Sequence, residues 1–147
     1  MAAMTQMAGT RPQVGRGAGR LLRHALLGGA ISAVVNLALY FGARAAGVTM
    51  TGQFEGAVVG VLPVTHVIFS SVVPALAATL VMMSLMKFTS APIRNFTILA
   101  VAVCLFSLMG PIGVKQLSFG MLVVMELMHV VASVCIGGLV VRAVKRQ

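Results

Sequence analysis

Four stretches of this chain carry almost no charge and are each long enough to cross a bilayer, which leaves few folds open to it. A helix rises about 1.5 Å per residue, so roughly 20 apolar residues match a hydrocarbon layer about 30 Å thick. Runs of that kind extend from about His24 to Ala46, Gly60 to Met86, Phe96 to Val114 and Phe119 to Val141. Lipid offers the backbone no hydrogen-bond partners, so each run is read as a helix that satisfies its own groups. The connections are short and leave no room for a soluble domain. The expected fold is therefore an all-α membrane protein, with four transmembrane helices in a compact antiparallel bundle. Composition agrees: 59% of the residues are apolar and 9% charged, a balance no soluble domain of this length keeps in solution.

The basic residues set the expected threading. Arg11, Arg16, Arg20 and Arg23 precede the first run, Lys87 and Arg94 flank the turn between the second and third, and Arg142, Lys145 and Arg146 follow the fourth. Only Arg44 and Lys115 fall on the other side. The positive-inside rule then places both termini in the cytoplasm of a cell that holds this multi-pass protein in its cytoplasmic membrane. Residues 1–23 read as a basic, disordered cytoplasmic arm, 24–141 as the transmembrane domain, and 142–147 as a basic cytoplasmic tail. Ala43-Arg44-Ala45 imitates a signal-peptide cleavage site, but the apolar run before it is too long for a secretory signal and is read as a retained anchor.

The net charge of +9 comes from a scarcity of acids rather than from dense basic clusters. That balance points to anionic lipid headgroups as partners and away from nucleic acid. The two cysteines, Cys104 and Cys135, lie inside apolar runs and read as small packing residues.

One of the two carboxylates, Glu126, sits inside the fourth run. A carboxylate near mid-bilayer costs roughly 3 kcal/mol, so it marks a buried polar contact or a functional site. His129 follows it one helical turn later on the same face. Counting inward from the outer ends at about 1.5 Å per residue, Tyr40, His66, Ser107 and Glu126 reach similar depths of roughly 8 to 12 Å, with Asn36 and His129 near 15 Å. Polar residues also form stripes at spacing four: Ser32, Asn36, Tyr40 and Arg44 on the first helix, His66, Ser70, Pro74 and Ala78 on the second. These are read as inward faces. Two readings stay open for the cluster of Glu126, His129, His66, Tyr40, Asn36 and Ser107. It is helix–helix glue, or it is a functional site that shares a proton or holds a ligand.

Glu-x-x-His is the spacing of carboxylate-bridged di-iron bundles, but such a site needs two of these motifs and two further carboxylates, which the chain lacks. A single metal on His66, His129 and Glu126 would be a two-His, one-carboxylate set. No metal, catalytic residue or cofactor is expected, since the sequence has no phosphate-binding loop, nucleophile elbow, haem motif or redox dithiol. Pro74, mid-helix, frees the carbonyl of Ser70 and is expected to kink its span, with the Ser70 and Ser71 hydroxyls near the released group. Gly110-Pro111 is expected to bend the outer end of the third helix.

Ser71 to Leu76, the turn from Lys87-Phe88-Thr89 to Pro92-Ile93-Arg94, Gly110-Pro111 and Met128-His129 resemble a family of uncharacterised four-helix membrane proteins of actinobacteria. The resemblance spans roughly residues 25 to 141. It implies a bacterial membrane protein with the same four-span order, places Pro74, Gly110, Pro111 and His129 at recurrent family positions, and supplies no activity. The leading expectation is a non-enzymatic accessory, assembly or scaffold component that associates with itself or with another membrane protein. The alternatives are a small proton-coupled transporter or permease subunit using the Glu/His cluster, and a metal-binding subunit of a membrane enzyme.

Overall fold

The computed structural model describes residues 14–53 and 59–146. Four helices long and apolar enough to cross a membrane dominate it, spanning Gly17–Ala45, Val64–Phe88, Pro92–Ile112 and Phe119–Lys145. The all-α, four-span expectation matches this architecture.

The first helix, α1 (Val14–Ala45), starts earlier than the hydropathy reading of about His24. The segment expected to be a disordered arm is thus helical from Val14 onward, while residues 1–13 lie outside the described residues. Packing explains the difference. Leu21 and Ala25, one turn apart, are 1% and 0% exposed against Met82, Val140 and Ala143. Basic residues end the apolar run without ending the helix, because tertiary burial of one face outweighs local hydropathy.

The exit of α1 is a Schellman cap. Gly47 takes a φ of +84°, its N–H donates to the Arg44 carbonyl, and the Val48 N–H reaches back to the Ala43 carbonyl at 2.9 Å. A two-residue hairpin follows, β1 (Thr51–Gly52) pairing antiparallel with β2 (Gly60–Val61). A bridge from Gln53 to Lys115 ties it to the loop that precedes the last helix. Met50 and Leu62 on its flanks are buried with Tyr40 and Met121, so the hairpin seals this end of the bundle.

The second helix, α2 (Val64–Phe88), runs unbroken through Pro74. Its buried residues are Val67, Ser71, Ala75, Thr79 and Met82, a stripe recurring every three to four positions. The third, α3 (Pro92–Ser107), opens with Pro92 in its first turn, where a missing N–H costs nothing. It breaks at Leu108 into a short helix, α4 (Met109–Ile112), at the Gly110-Pro111 pair where the sequence predicts a bend. The last helix, α5 (Phe119–Lys145), is capped by Ser118, whose Oγ accepts from the Met121 N–H at 3.2 Å.

Adjacent glycines make α1 the central helix. A Cβ added at Gly28 would meet the Cys135 carbonyl oxygen and the Ile136 Cα of α5 at 2.9 Å, and one at Gly29 would meet the Ser71 oxygen and Ala75 Cβ of α2 at 3.1 Å. Two neighbouring positions thus admit two different helices to close approach. By contrast α3 is peripheral, with only 11% of its most apolar segment buried.

Candidate functional site

Backbone packing brings α1, α2 and α5 together at Asn36, which is 3% exposed. Its amide Nδ2 donates toward Ser32 Oγ at 3.3 Å, Ser71 Oγ at 3.3 Å and the Met128 carbonyl at 3.4 Å. Ser32 Oγ donates to Ser71 Oγ at 3.4 Å, and Ser71 Oγ donates to the Val67 carbonyl at 3.0 Å. One turn toward the hairpin, the buried Tyr40 hydroxyl donates to the Leu62 carbonyl at 2.9 Å, and the Arg44 guanidinium stands 5.8 Å from the centre of its ring. These contacts join helices and pin the hairpin, so Asn36 and Tyr40 act within the fold.

The remaining candidates lie elsewhere. His66 is exposed near the start of α2, and so are Ser70 and Pro74. The inward face of α2 is therefore rotated by one residue from the expected His66, Ser70, Pro74 stripe, to Val67, Ser71 and Ala75. Close approach to Gly29 decides this, since it requires small side chains at the contact, and the imidazole near the helix end has no need of burial.

His129 is half-buried on α5, with Nδ1 2.7 Å from the Met125 carbonyl. A carbonyl only accepts, so Nδ1 carries a proton, and in the tautomer this contact selects Nε2 is the acceptor nitrogen. His129 lines a cleft of about 240 Å³ between α2, α3 and α5, together with Ser70, Pro74, Ser107 and Ser133. The Ser107 hydroxyl donates to the Cys104 carbonyl at 2.7 Å. Glu126, one turn before His129, has both carboxylate oxygens buried without a hydrogen-bond partner among the described residues.

The six candidates thus divide: Asn36 and Tyr40 in the α1–α2–α5 packing, His129 and Ser107 at the cleft, Glu126 half-buried with its carboxylate unpaired among the described residues, His66 on the surface. Glu126 makes no hydrogen bond to His66 or His129. His66, His129 and Glu126 do not come together as a ligand set either, and no metal-holding group occurs among the described residues. The fold adds Ser32 and Ser71 to the polar residues that matter. Their signal was available in the sequence, since Ser32 lies one turn from Asn36 and Ser71 beside Ser70.

Comparison with known proteins gives a family and no activity. The chain matches the model of a Family of unknown function (DUF6069) over residues 16–146. No curated protein and no solved structure matches it.

Proposed function

We propose that this chain, which belongs to the Family of unknown function (DUF6069), is a non-enzymatic accessory or scaffold component of the bacterial cytoplasmic membrane, acting by lateral association with a second copy or with another membrane protein. The observation that carries this reading is the division of the polar residues. Asn36, Ser32, Ser71 and Tyr40 are committed to contacts within the bundle, and His66 stands outside it, which favours a packing role for these side chains over a permeation path. The peripheral α3 offers the bilayer a largely unburied helix to which a partner span can pack.

The basic residues support a cytoplasmic location for one end. Arg20 and Arg23 on α1, Lys87 and Arg94 around the α2–α3 turn, and Arg142, Lys145 and Arg146 at the end of α5 flank the same side of the bundle, where anionic headgroups supply counter-charge. Co-purification from native membranes, with identification of what accompanies the chain, tests the reading. A stoichiometric partner or a homo-oligomer is the expected result. A proton or solute flux in reconstituted vesicles that Glu126→Gln stops would replace it with the transporter reading.

A further inference from the structure

We propose that the cleft between α2, α3 and α5 binds a small, neutral, membrane-soluble molecule headed by a hydroxyl group, a phenol being the simplest case. The chemistry of the lining selects it. The Ser70 hydroxyl donates to the Val67 carbonyl at 3.1 Å, the Ser107 hydroxyl to the Cys104 carbonyl at 2.7 Å, and the His129 Nδ1–H to the Met125 carbonyl at 2.7 Å. Each of these groups has its proton committed to backbone, so what remains is acceptor capacity: lone pairs on two hydroxyl oxygens and on His129 Nε2. Pro74 adds another acceptor, because it has no N–H to occupy the Ser70 carbonyl one turn back. Ser133 alone keeps an uncommitted hydroxyl.

A cleft of acceptors in an apolar setting is matched by a ligand that brings a donor and no charge. Size agrees. An apolar cavity of about 150 Å³ holds benzene, and the cleft measures about 240 Å³, room for one ring with its hydroxyl and a few carbons. Entry is from the bilayer, since Leu99 and Val103 of the lining are exposed on α3. The site stands whether or not the protein also associates laterally.

The test is a titration of the full chain, carrying isotope-labelled histidine in nanodiscs of zwitterionic lipid, with para-pentylphenol and with its methyl ether, para-pentylanisole. Ring-nitrogen resonances report, and His129 is assigned by elimination with His24→Gln and His66→Gln. The expected result is a saturable shift of the His129 signal by the phenol, with the ether, which lacks the donor, about five- to tenfold weaker. Gly137→Leu abolishes that shift, because Gly137 lines the cleft and a Cβ there meets nothing within 4 Å. If that variant does not fold, Ser107→Ala removes one acceptor at little change in volume and must weaken phenol binding several-fold. Equal effects of phenol and ether, equal shifts of all three histidines, or unchanged binding in the folded variant would overturn the proposal.

Discussion

Asn36 and Glu126 are both polar side chains placed among apolar helices, and both hold buried oxygens with no partner among the described residues, but only Asn36 also has donors that are used. Asn36 shares its amide protons among three acceptors from three helices, each contact long and worth about 0.6 kcal/mol or somewhat more in a membrane protein. Asn36→Ala should therefore lower stability by about 1 to 2 kcal/mol, read as a shifted midpoint in detergent-denaturation curves. His66→Ala, on an exposed ring, should stay within about 0.5 kcal/mol in the same assay. Glu126 holds two buried oxygens with no partner among the described residues. Glu126→Leu should accordingly raise the midpoint by about 1 kcal/mol, the behaviour of a group retained at a cost to the fold. A drop in stability would mean that the carboxylate has a structural partner.

Among elements, the tightest constraint is where α1 meets α5. A methyl group at Gly28 lands 2.9 Å from the backbone of Cys135 and Ile136, which cannot yield as a flexible side chain would. Gly28→Ala should separate the two helices and cost about 1 to 3 kcal/mol. Gly138→Ala meets nothing within 4 Å and should be tolerated, and the same denaturation curves compare them. Hydropathy made the four spans legible, along with the break at Gly110-Pro111, because both depend on local chain properties. Three features were not legible for physical reasons. The early start of α1 depends on burial of Leu21 by residues more than fifty positions away. The hairpin has strands of two residues, too short for any alternation to show. The dispersal of the polar cluster reflects helix rotation. Depth along an axis follows from counting residues, but which way a face turns is set by neighbours, and Gly29 turns Ser71 inward in place of Ser70 and His66.

For the molecule as a whole, four spans with Arg20, Arg23, Lys87, Arg94, Arg142, Lys145 and Arg146 at one end and the hairpin at the other define a polarity across the membrane. By the positive-inside rule we propose that the hairpin end faces outward and the α2–α3 turn faces the cytoplasm. Single-cysteine labelling with a membrane-impermeant maleimide tests it, using Thr49→Cys beside the hairpin and Ser90→Cys in the α2–α3 turn, in a background where Cys104 and Cys135 are replaced by Ala. Thr49→Cys should be labelled in intact cells and Ser90→Cys only after permeabilisation. Labelling of Ser90→Cys in intact cells, or labelling of both from the same side, would contradict it.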